Sequence, residues 1–450
     1  MKKKRLSRRD FLKKSSLAMT GVMGSSFIVP SSVFAQGGNI PPSERITMGA
    51  IGTGGMGRGD LRGFLSKPEV QVLAVCDVDR NHRERAMDLV NQRYGNDDCD
   101  DYNDFREVLA RDDIDTITTA TPDQWHALVT VAAARAGKDM YAQKPLAYSI
   151  AEGRAIVDAV KRYNVVFQTG SQQRSGRDFR FASELVRNGR IGEVKHVTVG
   201  LPEANSINNN YTGEEMPVPD GFDYDMWLGP APERPYNPGR CHWNFRWVRD
   251  YGGGQITDWI GHHGDIAQWA MGTQYSAPVE ISGEGVFPDH PLYDTVEHFK
   301  FECIYEEGFT MTVVGAERYP REANGIQLSG VGENGGRGVF FQGSEGWVHV
   351  NRSGMNTYPE SLMDEVILPE ETHLYESNDH RQNFVDCVKT RQECVAPVEP
   401  AHYSVMIGHL GLAAIRLGRT LRFDPETETF PGDPEANNML SRPMRSPWKI

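Results

Sequence analysis

The chain has 450 residues, 39% hydrophobic and 24% charged, which excludes a disordered or collagen-like protein and allows one large or two ordinary domains. Its formal net charge is −13; the first 35 residues hold eight Lys/Arg and one Asp, so the rest carries 40 basic against 60 acidic residues, or −20. A surface of that sign repels nucleic acid and anionic lipid, which sets both aside as partners.

Residues 2–5 are basic, Ser7-Arg8-Arg9-Asp10-Phe11-Leu12-Lys13 follows, and a Gly/Ser-rich apolar run leads to Val33-Phe34-Ala35. The pattern resembles a twin-arginine export signal, cleaved after Ala35. The expected location is periplasmic or otherwise exported by that route, with no membrane attachment once residues 1–35 are gone. The apolar run is short for a bilayer span and contains Pro30. Six cysteines show no Cys-x-x-Cys pair and no Cys/His zinc spacing, and read as buried thiols; Cys387 and Cys394 are the one pair close in sequence.

From residue 45 strands and helices alternate. An apolar strand over 46–51 runs into Gly52-Thr53-Gly54-Gly55-Met56-Gly57, a Gly-x-Gly-x-x-Gly turn that opens a helix over 58–66. Gly52 permits the tight turn, Gly54 lets the backbone approach a pyrophosphate, and Gly57 lets the helix pack on the strand. Residues 52–57 are therefore candidate cofactor contacts, with helix amides facing the anion. A strand over 70–75 ends at Asp77, twenty residues past Gly57, where an acid accepts hydrogen bonds from a ribose and repels a 2′-phosphate. NAD is favoured over NADP, although Arg80 stands close enough to meet a phosphate. A helix over 102–111 and a strand over 114–119 lead to Thr121-Pro122-Asp123-Gln124-Trp125-His126 at a carboxyl edge; Thr121, Pro122 and His126 join the cofactor candidates. A helix over 125–136, a strand over 139–142 delivering Gln143-Lys144-Pro145, a helix over 150–163 and a strand over 165–169 complete a doubly wound sheet.

The glycine turn, Thr121-Pro122-Asp123-x-x-His126, Ala136-Gly137-Lys138-Asp139 followed by Lys144-Pro145, and later Gly252-Gly253-Gly254 leading to Asp258 and His262 together resemble the glucose–fructose oxidoreductase, inositol dehydrogenase and MocA family. The resemblance covers residues 45–420, with one departure: the usual acid before Lys-Pro is Gln143, itself a cofactor candidate with Lys144. It implies an α/β Rossmann domain with a doubly wound parallel sheet (45–170), then an α+β substrate and oligomerisation domain (171–420) with a large open, mostly antiparallel sheet.

After Gly170 the pattern changes accordingly. A helix over 178–188 precedes strand-like runs at 194–201, 279–286, 295–303, 310–316, 326–331, 339–342 and 347–350. A long excursion over 202–251 carries Trp227, Tyr236, Trp243 and Trp247, read either as a carbohydrate platform or as packing. Helices follow over 254–271, 379–390 and 401–417, and residues 421–450 form an extended arm lying on the domain or on a neighbouring subunit.

Oxidising a sugar hydroxyl takes a base, a hydride acceptor and a donor to the developing alkoxide. Asp258 and His262, four apart on one helix, share a face. By the resemblance His262 accepts the proton, Asp258 orients or polarises it, and Lys144 bridges the substrate oxygen and the nicotinamide ribose. Gln172, Gln173, Arg174, Arg246 and His263 are candidate substrate contacts. His263, Asp265 and His242 could instead help to hold a divalent metal, but the family works without one, so no metal is expected. The expected function is an exported NAD-dependent oxidoreductase for a small-molecule carbohydrate, assembled as a homo-oligomer through the open sheet. Two alternatives stand: a glycosidase or isomerase using transient ring oxidation, and, given Gln143, a non-catalytic sugar- or nucleotide-binding protein.

Overall fold

In the computed structural model, which describes residues 40–41, 44–203, 211–333 and 335–450, the first half folds as six parallel strands. The export signal expected over 1–35 lies outside the described residues. Strands β1 (Ile46–Ile51), β2 (Val70–Cys76), β3 (Asp100–Tyr102), β4 (Thr116–Thr119), β5 (Asp139–Ala142) and β6 (Phe167–Thr169) lie in the order β3-β2-β1-β4-β5-β6. β4 and β5 are buried throughout, as strands covered by helices on both faces must be. The covering helices are α1 (Gly55–Leu65), α2 (Arg80–Tyr94), α3 (Phe105–Leu109), α4 (Asp123–Arg135) and α5 (Ile150–Tyr163). The order reverses between β1 and β4, so a crevice opens beyond their carboxyl ends, at Gly52 and Ala120.

Two local expectations change here. Helix α1 begins three residues earlier than its pattern suggested, inside the glycine turn itself. Residues 100–102 pair in parallel with β2, so Tyr102 belongs to an edge strand, and the helix expected from 102 starts only after Asp104 accepts the Arg106 amide as its cap.

The second half builds on helix α6 (Arg177–Arg187), strand β7 (Val194–Leu201), the short α7 (Tyr224–Leu228) and α8 (Gly254–Met271), whose bounds match the periodic run of Ile256, Ile260, Ile266, Ala267 and Ala270. Beyond them come β8 (Glu280–Val286), β9 (His298–Ile304), β10 (Thr310–Gly315), β11 (Glu322–Ala323), β12 (Ile326–Gln327), β13 (Gly338–Gly343), β14 (Trp347–Asn351) and β15 (Gly354–Tyr358). Helices α9 (His380–Thr390) and α10 (Val398–Leu417), strand β16 (Leu421–Arg422) and α11 (Pro434–Asn437) finish the chain. Eight strands form one open sheet, β15-β14-β13-β7-β10-β9-β8-β16; the β7–β10 pair is parallel and every other pair antiparallel. The strand expected over 326–331 shrinks to β12, paired only with β11, while β15 and β16 had no expected counterpart. Helices α8 and α10 pack against each other and on this sheet.

The excursion over 202–251 has an apolar core of its own, in which Tyr224, Trp227, Tyr236, Trp247 and Tyr251 are buried. It packs on the first domain: the Trp227 carbonyl accepts Trp125 Nε1–H at 3.0 Å and Gln124 Nε2–H at 3.2 Å. The C-terminal arm ties both together. Arg442 donates to Glu152 at 2.7 Å and to the Gln124 carbonyl at 2.8 Å, Arg445 donates to the Gly229 carbonyl at 2.9 Å, and Trp448 lies edge-on to Trp125. All six cysteines are buried free thiols, Cys387 and Cys394 included.

Candidate active site

At Gly52 the backbone turns with φ +76°, and a Cβ there would sit 2.8 Å from the Ala120 and Thr121 backbone. A Cβ on Gly57 would fall within the van der Waals radius of the Gly52 carbonyl oxygen. Glycine at both positions is thus a steric requirement for strand, turn and helix to meet. Between them, Gly54, Gly55 and Met56 line a cavity of about 630 Å³. No side chain caps α1 and no acid stands in its first turn, so its free amides and positive end remain available to an anion. A Cβ on Gly55 would meet nothing within 4 Å, and one on Gly54 nothing nearer than His82 at 3.7 Å, so this part of the turn is open to a bound pyrophosphate.

Asp77 closes the turn from β2. Its carboxylate accepts the Thr53 amide at 2.7 Å and the Asp79 amide at 2.9 Å, and it lines the cavity. Thr53 is fully buried with its amide committed to Asp77, and Gly57 packs on Gly52; both shape the turn rather than face the cavity. The side chain of Arg80 lies along Gly221, outside the cavity lining. Beside Asp77, His82 is pushed above its ordinary pKa: burial opposes, but the Asp77 carboxylate at 3.5 Å wins.

Thr121 and Pro122 form the far wall. His126 is a correction to the expected cofactor contacts, since it lies outside the cavity lining and bridges two loops, with ring nitrogens 2.6 Å from the Pro145 carbonyl and 2.9 Å from the Thr121 carbonyl. Gln143 lines the cavity and donates to Asp60 at 2.6 Å, while its own Oε1 has no partner. Asp60 in turn accepts Arg381 at 2.7 Å. An acid at 143 would stand against the buried Asp60 carboxylate, so in this chain the negative charge sits at Asp60 and the amide beside it is the complement.

At the other end Lys144 Nζ donates to Asp258 Oδ1 at 2.8 Å and to the Asp258 carbonyl at 3.1 Å; Arg246 Nε adds a contact at 3.3 Å. Burial would raise Asp258, but Lys144 and Arg246 hold it below the usual carboxylate range. One turn along α8, His262 lines the same cavity, and its Nδ1 has no partner. Burial first, then Lys144 and Arg352, keeps its pKa well below the ordinary value, so the ring is neutral. Asp258 makes no hydrogen bond to His262; its carboxylate is taken up by Lys144 and Arg246, which corrects the expected Asp258–His262 arrangement.

Of the five expected substrate contacts, Gln172 and Arg246 line the cavity. Gln173, Arg174 and His263 do not. Arg174 is buried in a bidentate pair with Asp265 at 2.7 Å, and His263 stacks on Trp259 with both ring nitrogens unpartnered. The residues considered for a metal around 262 therefore point in different directions. His242 lies instead with Asp79 and His82, one of two groups spaced for a cation among the described residues, the other being Glu203, His298 and Glu317. Of the four excursion aromatics, three are core and Trp243 is 62% exposed, with Arg246 4.4 Å above its ring.

Among the lining residues to which the sequence assigned no role, three bear on the chemistry: Trp259, Arg352 and Asp123. Trp259 falls within the helix expected over 254–271 with nothing to mark it out, and Arg352 carries no local signal. Asp123, part of a quoted motif but given no role, is almost fully buried and takes no hydrogen bond from a described side chain; burial, and then the charge of Asp258, push it up to about 8.

The family models agree with this division. Residues 46–171 match the oxidoreductase family's NAD-binding Rossmann fold, and residues 178–450 match its C-terminal alpha/beta domain. An alpha-N-acetylgalactosaminidase of Shewanella oneidensis is 29% identical over 205 residues, 42% of this chain and 45% of that protein, so the match spans less than half of the relative. The aldose-aldose oxidoreductase of Caulobacter crescentus superposes with a TM-score of 0.59 at 17% identity, over 84% of this chain and 100% of that one. GenD2 from gentamicin A biosynthesis, solved in complex with NAD, gives a TM-score of 0.59 at 17% identity, over 85% and 97%. At such identities the two structures share the fold. The glycine turn, the open sheet and two family models that together span nearly the whole described chain lead to one conclusion: the protein belongs to the Gfo/Idh/MocA oxidoreductase family, with its NAD-binding Rossmann fold.

Proposed function

We propose that the protein transfers a hydride between a carbohydrate CH–OH group and a tightly held NAD, in an exported compartment. The observation that carries this reading is a single cavity lined at one end by Gly54 and Asp77 and at the other by Lys144, Asp258 and His262. The open glycine turn and the uncapped α1 would hold the pyrophosphate, Asp77 the adenosine ribose, and Thr121, Pro122 and Gln143 the remainder. When bound, NAD supplies the nicotinamide carbon that takes or returns the hydride. The neutral ring of His262 has a lone pair to accept the hydroxyl proton. Lys144, fixed by Asp258, offers an ammonium to the oxygen on which charge develops. Asp258 thus acts by orienting Lys144.

The test is to purify the protein without added nucleotide, release and identify what it holds, and follow nicotinamide absorbance against a sugar panel. Bound NAD and keto-sugar formation are expected; absence of any nucleotide, or turnover without absorbance change, overturns net oxidation. A redox-neutral glycosidase is the second reading, supported by the galactosaminidase relative. Free aglycone with unchanged nicotinamide after many turnovers would select it. A binding protein without catalysis is disfavoured, since Lys144, Asp258 and His262 line one cavity. Export rests on Arg8 and Arg9, and replacing both by Lys should leave the protein in the cytoplasmic fraction. Assembly through the open sheet is supported by the exposed Val286, Phe287 and Ile304, and light scattering of the purified protein tests it.

A further inference from the structure

Trp259 is flanked by two guanidinium groups: Arg337 lies 4.7 Å and Arg352 4.8 Å from its ring centroid. Neither arginine has a carboxylate partner or a hydrogen bond among the described residues, whereas Arg174, Arg246, Arg381 and Arg442 each meet an acid. Two exposed like charges thus share one indole with no described carboxylate within salt-bridge reach, in a protein of formal charge −13. Desolvation of its guanidinium first, and then the neighbouring Arg337, hold Arg352 below its ordinary pKa, with the charge of Asp258 opposing them.

The position of the pair gives it meaning. Trp259 and Arg352 line the same cavity as Lys144, Asp258 and His262. Trp259 stands one residue from Asp258 and makes an edge contact with the His262 ring, at 5.5 Å between centroids. At this end the cavity lining holds three cations, Lys144, Arg246 and Arg352, and Arg337 stands against Trp259 just outside that lining. Two carboxyls of the lining face them: Asp258, paired with Lys144 and Arg246, and Asp123, which burial pushes up to about 8. The cofactor's phosphates are accounted for at the opposite end, by the glycine turn and α1. The surplus cations lie instead beside the base that would take the sugar proton.

We infer that Arg337 and Arg352, held on Trp259, form a subsite for an anionic substituent, so that the substrate is an acidic carbohydrate carrying a carboxylate or a sulfate ester. The guanidinium forks suit the paired oxygens of either group, and binding replaces the missing counter-ion. The inference rests on the oxidoreductase reading of the cavity and deepens it. An anchor one substituent away from the reacting carbon also selects which hydroxyl meets His262.

The test compares the purified full-length protein with the Arg337→Gln/Arg352→Gln double variant and with Arg352→Lys. D-glucuronate, D-galacturonate, galactose 6-sulfate, glucose and galactose are titrated at low and high salt. Binding is read from tryptophan fluorescence and hydride transfer from nicotinamide absorbance. An acidic sugar should bind about tenfold or more tightly than its neutral counterpart, and salt should shrink the ratio. The double variant should bring the ratio towards one, with Arg352→Lys between. The uronate and sulfate arms decide which anion fits. Equal binding of acidic and neutral sugars, or a preference that the double variant leaves intact, overturns the subsite. If the double variant does not fold, the salt dependence and Arg352→Lys still decide. Oxidation of neutral sugars without acidic preference overturns the subsite and leaves the oxidoreductase reading standing. Arginine-dependent binding of a uronate without hydride transfer does the reverse.

Discussion

On the face of α8 that looks into the cavity stand Asp258 and His262; on the face that looks into the protein core stand His263 and Asp265. The same residue types, within eight positions, meet opposite surroundings. Asp258 shares its carboxylate between Lys144 and Arg246 at the edge of open space. Asp265 accepts both forks of Arg174 at 2.7 Å and the Ser404 hydroxyl at 2.8 Å, with no solvent near. One histidine faces the cavity, and its neighbour is flat against Trp259. Charge pairs of similar geometry thus serve chemistry on one side of a helix and cohesion on the other, and direction alone divides them.

Substitutions can sharpen or break that division. His262→Ala should lower kcat/KM by about 10²–10⁴-fold while leaving the melting temperature close to that of the parent, because the ring is a proton acceptor and not a strut. Intact hydride transfer in a single-turnover measurement would remove His262 from the mechanism. Asp265→Asn should do the opposite: urea unfolding should show a loss of about 3–5 kcal/mol, the cost of leaving Arg174 buried and unpaired, while the folded fraction keeps its kcat.

His263→Phe is expected to have a smaller effect. Burial, with Arg352 and Arg337 adding to it, pushes His263 from 6.5 down to about 3. Between those values the unfolded chain binds a proton that the folded chain refuses, so stability is complete above pH 6.5 and falls as the pH drops below it. His349, His380 and His409, each pushed down to about 4, act in the same direction. His263→Phe should flatten this acid loss by up to one proton in a pH series of urea midpoints, with a change of about 1.5 kcal/mol or less at alkaline pH. The smallest effect belongs to Asp123→Asn, which should change kcat/KM by less than about threefold at neutral pH and diverge from the parent only above pH 8. A large loss at neutral pH would show that Asp123 works ionised.

Much of this was readable in the sequence, for identifiable reasons. The glycine turn and Asp77 are features of consecutive backbone, where a steric need forces a residue type, and α8 announces itself by its apolar repeat. What was not readable depends on direction and on distant chain. One residue turns a helix by about 100°, so His263 leaves the cavity that His262 enters. In the same way Gln172 reaches the cavity while Gln173 and Arg174 do not. Arg352 comes to Trp259 from the turn between β14 and β15, and nothing local in either segment marks the other. The excursion's tryptophans were ambiguous because burial of a whole subdomain and display to a sugar draw on the same residues.

Asp123 shows how a residue's letter and its chemistry can part. With its carboxyl raised to about 8, this wall of the cavity carries a neutral group whose O–H donates and whose C=O accepts, the hydrogen-bonding habit of an amide. An oxygen of sugar or cofactor arriving at neutral pH meets a donor there. On the alkaline side of that value the same wall loses its donor and becomes a second carboxylate beside Asp258, which still accepts from hydroxyl groups. The wall at Asp123 is thus expected to trade a donor for an acceptor as the pH rises, through a group given no part in the proton transfer.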